Sequence, residues 1–245
     1  MKIALVTGGG GDGSGRAISA RFAREGWLTV VCDKDSTAGE KTVEMISAEG
    51  GRAEFFKTDV RSREQLAEAF AFAQSKGNVA AVVNNASDLT AYHPEAPLDF
   101  WDDIVATDFL GSMWSTRLGI DALRASGGGA IVNVSSTSAI PEHSDGGSPM
   151  YDIAKLAVLR LSMRLAFLRT ENIRVNCIIP HWIAAPFLVD YVSNLTNDER
   201  RARNVPERLI PVDEIAREIY RLATDPELAG EAVIWLHGKE PALWH

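Results

Sequence analysis

A single-domain α/β fold, with a doubly wound parallel sheet of about seven strands and helices on both faces, is predicted across residues 1–245 by three observations. Short apolar runs alternate with helix-period segments along the whole chain. The runs lack the in–out alternation of a half-exposed sheet, as expected of strands covered on both faces. The first run also passes through a glycine cluster straight into a helical pattern.

The elements follow in order. Lys2–Thr7 (KIALVT) reads as a buried strand, followed by Gly8, Gly9, Gly10, Gly11, Asp12, Gly13, Ser14 and Gly15. Ala17, Ile18, Ala20, Phe22 and Ala23 then form the apolar face of a helix. Glycines let the backbone approach a ligand, and a helix N-terminus offers unpaired N–H groups, so this join can cradle a phosphate. Leu28–Cys32 is the second strand, closed by Asp33. A carboxylate about 20 residues beyond the glycines suits two ribose hydroxyls and repels a 2′-phosphate. The expected cofactor is therefore NAD rather than NADP. Lys34, just past the strand, is grouped with the cofactor residues, since a loop cation there could also meet a phosphate. Further strands are expected near Arg52–Lys57, Val79–Asn84, Ala130–Ser135, Arg174–Pro180 and Ala232–Leu236. Helices are expected near Thr37–Glu49, Arg63–Ser75, Pro97–Arg124, Tyr151–Thr170 and Pro211–Thr224.

The formal net charge is -8 with no basic cluster, which argues against nucleic acid and anionic membranes as partners. The two cysteines, Cys32 and Cys177, fall inside predicted buried strands, so no disulfide is expected and a reducing compartment fits. No run is long and apolar enough to span a bilayer, and the apolar run after Met1 is too short for a secretion signal. A cytoplasmic protein is expected. The five histidines are scattered, and no metal site is indicated.

Tyr151 and Lys155 stand four residues apart at the start of a helical segment, so they share one face. An ammonium there favours the ionised phenol, which otherwise titrates near about 10. The pair is a candidate proton-transfer group.

In sum these segments resemble, in order and over essentially the whole length, a classical short-chain dehydrogenase/reductase. Thr7-Gly8 with Gly13-Ser14-Gly15 resembles the family's Thr-Gly-x-x-x-Gly-x-Gly turn, one residue longer. Asp59-Val60 resembles the pair flanking adenine, and Asn84-Asn85-Ala86-Ser87 the Asn-Asn-Ala-Gly segment with Ser in the last place. Ile131–Ser136 resembles the strand ending in the catalytic serine, Tyr151–Lys155 the catalytic motif, and Arg174–Pro180 the strand leading to the nicotinamide.

The resemblance implies a Rossmann-type NAD(H)-dependent oxidoreductase acting on a secondary alcohol or ketone. Tyr151 would be the general acid/base, Lys155 would lower the phenol's pKa together with the oxidised nicotinamide and hold the nicotinamide ribose, and Ser136 would fix the substrate oxygen. Ser138 is the alternative serine, closer to the family's usual spacing. Cofactor contacts are implied for Gly8, Gly9, Gly13, Ser14, Gly15, Asp33, Lys34, Asp59, Val60, Asn85, Ala86, Ser87, Tyr151, Lys155, Pro180 and Ile183. A lid is implied near 186–210, with Trp182, Phe187, Leu188, Tyr191 and Val192 around it, and a homo-oligomer, tetramer or dimer, through the long helices.

This chain also departs from the pattern. Asp108 stands where the family usually has the asparagine of a water relay behind the lysine, and is counted with the catalytic residues. It keeps the acceptors but loses the amide donor and adds charge. His181 replaces a common glycine and reads as a bulky pocket wall. Ala185 stands where a threonine often meets the carboxamide. His143, Glu142 and Asp145 lie in the loop Pro141–Pro149, which should border the substrate. Asp108, His181 and the lengthened glycine turn motivate a second reading, a catalytically weak NAD(H)-binding sensor. A third keeps the pair but assigns dehydratase or epimerase-like chemistry.

Overall fold

The computed structural model describes residues 1–88, 95–143 and 148–244. The apolar runs become β1 (Lys2–Thr7), β2 (Leu28–Asp33), β3 (Arg52–Lys57), β4 (Asn78–Asn84), β5 (Gly129–Val134), β6 (Ile173–Pro180) and β7 (Ala232–Trp235). They pair in parallel in the order β3-β2-β1-β4-β5-β6-β7. The direction of winding therefore reverses between β1 and β4, which opens a crevice at the carboxyl ends of the strands. An eighth strand, β8 (Ala242–Leu243), adds antiparallel to β7, one more than the seven expected. It is only two residues long and exposed, too short to leave a period in the sequence.

Two apolar layers account for the unbroken strands. Ile3, Ala4, Leu5 and Val6 are all fully buried, and successive residues feed opposite layers. Ala4 and Val6 pack with Ile18 and Phe22 of α1 (Ser14–Arg24) and with Ile215 and Ile219 of α9 (Val212–Thr224). Ile3 and Leu5 pack with Phe70 of α3 (Arg63–Lys76) and Leu123 of α5 (Ser112–Ser126). The side chain of Asp35 caps α2 (Ser36–Ala48) by accepting from the Ala38 N–H, and Ser62 caps α3 by accepting from Gln65.

Two predicted helices are divided. The segment expected as one helix over Pro97–Arg124 is α4 (Leu98–Ile104), a π-helical stretch Val105–Gly111, and α5. Wide turns of this kind occur mostly at functional sites, and this one carries Asp108. Gly111 shows why the backbone passes so closely there: a Cβ on it would lie 2.8 Å from Val60 Cγ2. The segment expected over Tyr151–Thr170 is α6 (Pro149–Arg164) followed by a 3₁₀ stretch Ala166–Glu171. After β6 come α7 (Pro186–Ser193) and α8 (Asn197–Ala202), the latter closed by a capping box between Thr196 and Glu199.

The α1–α9 layer is locked by aromatic contacts. The Phe22 ring meets Trp27 edge-on at 5.3 Å and Tyr220 at 5.2 Å. Phe22→Ala is expected to cost about 3–5 kcal/mol, because the surrounding strands and helices cannot collapse into the space. Urea unfolding should show a lower midpoint with an unchanged slope.

Candidate active site

The carboxyl ends of β1, β2, β4, β5 and β6 border one cleft of about 680 Å³. On its first side lies the glycine turn. Gly8 has φ +62, and a Cβ there would stand 2.8 Å from Ala86 Cα. A Cβ on Gly15 would stand 1.9 Å from the Gly8 carbonyl oxygen, so the turn closes only without side chains. Thr7 Oγ1 accepts from the N–H groups of Asn85 (3.2 Å) and Ala86 (3.3 Å). Asn85 Nδ2 donates to the carbonyls of Thr7 and Gly8, and Ser14 Oγ donates to Asn85 Oδ1 at 2.8 Å. The β1 and β4 loops are thus sewn together, and α1 begins at the cleft with no acidic residue in its first turn.

Most sequence-predicted positions gather here. Gly8, Gly13, Ser14, Gly15, Asp33 and Lys34 line the cleft, as do Asp59, Val60, Asn85, Ala86 and Ser87. So do Ser136, Tyr151, Lys155, Pro180 and Ile183. Gly9 does not: a Cβ on it would meet Ser19 Oγ and Val6 O at 2.9 Å, so it packs inward, and Gly11 takes its place on the wall. Thr58 and Thr107 also line the cleft, without any motif to flag them. His143 borders the cleft as expected, whereas Asp145 of the same loop lies outside the described residues.

Asp33 accepts from the Gly10 N–H and the Asp35 N–H, each at 3.0 Å, which fixes the carboxylate at the cleft rim. Lys34 reaches toward Asp88, with its Nζ 4.0 Å from Oδ2. Arg16 turns inward, its Nε donating to Thr42 Oγ1 at 2.9 Å. Asp59 is paired with Arg61 at 2.8 Å, and the guanidinium's hydrogen bonds hold its carboxyl below the usual range.

At the other end, β5 and α6 meet. Ser135 Oγ donates to the Lys155 carbonyl at 2.8 Å, tying the strand end to the helix. Hydrogen bonding from the Ser136 and Ser87 hydroxyls lowers the Tyr151 phenol's pKa, after the larger effects of burial, Lys155 and Asp108. Both Ser136 and Ser138 line the cleft, and of the two it is Ser136 whose hydrogen bonding lowers the phenol's pKa. Its Oγ also accepts from the Ser138 N–H at 3.2 Å, while the buried Ser138 Oγ has no hydrogen-bond partner among the described residues.

Behind the phenol, Lys155 Nζ lies 3.0 Å from Asp108 Oδ1 and donates to the Val134 carbonyl at 3.2 Å. Asp108 is fully buried and does not line the cleft. It accepts from the Ser87 hydroxyl at 2.5 Å and from the Asp88 N–H at 2.9 Å. Burial opposes the Lys155 charge, but Asp108 and Tyr151 outweigh it and leave its pKa raised. For Tyr151 the lysine acts in the direction the sequence predicts, and burial is the larger influence. Burial raises the phenol above its ordinary value, Lys155 lowers it, and Asp108 raises it again. The lysine acts in the expected direction, but a desolvated phenol beside a buried carboxylate keeps its proton more firmly.

The segment after β6 covers the cleft. Ile183 bridges to Ile210, and the Ile210 N–H donates to the Trp182 carbonyl at 2.8 Å, pinning both ends of the segment that holds α7 and α8. Trp182 and Tyr191 stack with centroids 6.4 Å apart and planes within 3°. Ala185 comes within 3.0 Å of where a Cβ on Gly13 would be, so this segment touches the glycine turn directly. His181 is buried at the cleft beside the exposed His237, with centroids 5.3 Å apart, and burial pushes its pKa down to about 4.

A short chain dehydrogenase family profile matches residues 2–195. The chain is 33% identical to a mouse (3R)-3-hydroxyacyl-CoA dehydrogenase over 75% of its length and 74% of that protein. It is 29% identical to a cyclohexanol dehydrogenase from Acinetobacter sp. strain SE19, covering 78% and 76% of the two chains. A solved short-chain type dehydrogenase/reductase from Mycobacterium ulcerans superimposes with a TM-score of 0.85 at 23% identity, over 95% of this chain and 87% of that one. The chain belongs to the short-chain dehydrogenase/reductase family, oxidoreductases that use NAD or NADP. Among the described residues, no helix is long and apolar enough to cross a membrane.

The raised values of Tyr151 and Lys155 fix the sign of an alkaline effect. Both groups hold protons in the folded state that the unfolded chain releases, so their stabilisation is complete below about pH 10 and is lost as pH climbs through the folded values. Urea midpoints measured from neutral to strongly alkaline pH should fall above that point. Tyr151→Phe should make the fall shallower, and an unchanged slope in that variant would contradict the assignment.

Proposed function

We propose that the protein transfers a hydride between NAD(H) and a secondary alcohol or its ketone, with Tyr151 as general acid/base. The grouping of Tyr151 and Ser136 in one cleft, backed by the Lys155–Asp108 pair 3.0 Å apart, is the observation that carries this reading. The cofactor suits the residues present. Side-chain-free Gly8 and Gly15 leave room for a pyrophosphate at the start of α1, and Asp33 offers a fixed carboxylate to the adenosine ribose. Asp59, Val60, Asn85 and Ala86 would flank the adenosine half, while Ser87, Tyr151, Lys155, Pro180 and Ile183 would hold the nicotinamide half. When bound, the nicotinamide supplies or accepts the hydride.

In reduction, Tyr151 gives its proton to the oxygen as negative charge develops there, and Ser136 donates a second hydrogen bond that holds this oxygen against the phenol. In oxidation both transfers reverse. Lys155 stabilises the phenolate formed on proton loss, and Asp108 keeps the lysine charged despite its burial. The Ser87 hydroxyl, in contact with both Tyr151 and Asp108, links the phenol to the buried carboxylate. Asp108 thus acts through Lys155 and Ser87 as a positioning residue. The segment over 186–210 would serve as a substrate lid, with Trp182 and Tyr191 as its apolar wall.

Two relatives are named for dehydrogenating cyclohexanol and a 3-hydroxyacyl thioester, both secondary alcohols, which supports the substrate class. A cytoplasmic homo-oligomer completes the reading. Exposed Ile153 and Leu156 on α6 and Leu98 on α4 are consistent with an apolar subunit contact.

Tyr151→Phe is expected to lower kcat by about 10²–10⁴ while NADH affinity, read by fluorescence titration, stays near the parent's. Retention of full activity would refute the role of the phenol. Saturable NADH binding without turnover across a broad panel of alcohols and ketones would instead favour the sensor reading. Product formation with no change in nicotinamide absorbance would favour dehydratase or epimerase-like chemistry. Asp33→Ala should weaken NADH at least tenfold and narrow its advantage over NADPH, by removing a ribose acceptor and the charge that repels a 2′-phosphate.

A further inference from the structure

Among the described residues, two buried polar groups on the cleft wall have no hydrogen-bond partner and no part in the chemistry above: Ser138 Oγ and His181 Nδ1. Their residues are 6% and 7% exposed, so neither is a surface group satisfied by bulk water. Both sit at the reacting end of the cleft. Ser138 lies two residues past Ser136, with its own N–H bonded to the Ser136 Oγ. His181 follows Pro180 at the end of β6, its N–H held by the Trp235 carbonyl at 2.9 Å. Neighbouring strands deliver them, since β5 and β6 pair up to Val134↔Ile178 and the Ser135 N–H continues the ladder to the Ile178 carbonyl at 2.8 Å.

Their chemistry is neutral. Burial, reinforced by His237 and His143, holds the His181 imidazole well below neutrality, so it presents one donor and one acceptor nitrogen rather than a cation. Ser138 offers a hydroxyl that can donate or accept. Among the described residues lining the cleft, the fixed cations are Lys34, on the Asp33 side, and Lys155, already paired with Asp108. Nothing there would neutralise an anionic group near Ser138 and His181. Trp182, Phe187, Leu188 and Tyr191 give the cleft an aromatic and aliphatic face, beside the uncharged hydroxyl of Thr137 and the His143 ring. When a substrate displaces water from such a wall, polar groups left unpaired count against binding, and a ligand that pairs them is selected.

We infer that Ser138 and His181 form a second polar subsite, so that the substrate is an uncharged, largely apolar ketone or alcohol carrying another hydroxyl or carbonyl besides the reacting one. This deepens the alcohol/ketone reading and rests on it.

Hydroxyl–methyl pairs isolate the effect, because the two substituents are close in size. The 2-, 3- and 4-hydroxycyclohexanones and the matching methylcyclohexanones would be titrated calorimetrically into protein loaded with whichever of NADH and NADPH it binds. At one ring position at least, the hydroxyl compound should bind ten or more times as tightly as its methyl partner. That ratio should drop below threefold in His181→Phe and in Ser138→Ala, while His181→Gln, which keeps a donor and an acceptor, should recover part of it. Cofactor affinity and the urea midpoint of each variant report on folding. Equal binding within every pair, a preference that survives in both variants, or no binding of any compound would overturn the subsite. Because binding is the readout, a protein that prefers the hydroxyl compound without turning it over would refute the oxidoreductase reading and leave the subsite standing. Turnover with no such preference would do the reverse.

Discussion

Lys155 brings a charge to a place without water, and much of the cleft's inner wall follows from that. A buried ammonium is tolerated only with an opposite charge and further hydrogen bonds around it. Asp108 supplies the charge and the Val134 carbonyl an acceptor, so the end of β5 must lie under α6. Asp108 in turn takes hydrogen bonds from the Ser87 hydroxyl and the Asp88 N–H, which fixes the loop after β4. The π-helical stretch Val105–Gly111 is where the chain carries Asp108 into this arrangement. Four segments distant in sequence are thereby held around one ion pair, and Tyr151 stands at its edge.

The pair also explains why the phenol is not simply activated by its neighbour. A lone lysine would favour the phenolate, but Asp108 returns part of that charge and burial adds to the proton's hold. The site thus trades acidity at Tyr151 for a lysine that stays charged in a dry setting. Ser87 stands between the two sides, touching both phenol and carboxylate. Where the family pattern has glycine and asparagine at these places, this chain has serine and aspartate, a hydroxyl donor facing a carboxylate acceptor.

The sheet makes such spacing possible. Parallel strands buried on both faces all point their carboxyl ends to one edge, and the reversal between β1 and β4 leaves that edge open. The glycine turn, Asp33, Asn85, Ser136 and Pro180 thus come together although they lie on five different strand ends. The segment after β6 then closes over them, resting on Gly13 through Ala185.

Local chemistry wrote much of this plainly. Unbroken apolar runs could only be strands covered twice, the glycines before α1 could only serve a backbone that must pass closely, and Tyr151 and Lys155 had to share a helix face. Seven parallel strands and most of the cleft wall were legible because each depends on residues adjacent in the chain. What the sequence left open depends on approach across the fold. Whether Ser136 or Ser138 meets Tyr151 turns on the path of the 3₁₀ turn at Thr137–Ala139, which no spacing rule sets. That Gly9 faces inward and Gly11 outward follows from packing against Ser19 and Val6. The wide turn at Asp108 spans only 7 residues, too few for its different period to stand out in the sequence. The two-residue β8 was invisible for want of length. The sequence by itself determined the fold class and most of the positions that meet in the cleft, since both reside in side-chain type and local period. Only the tertiary structure decided the sign of the balance at the phenol and the partners of the buried charges, because desolvation and Coulomb energy depend on distances that exist only once the strands are brought together.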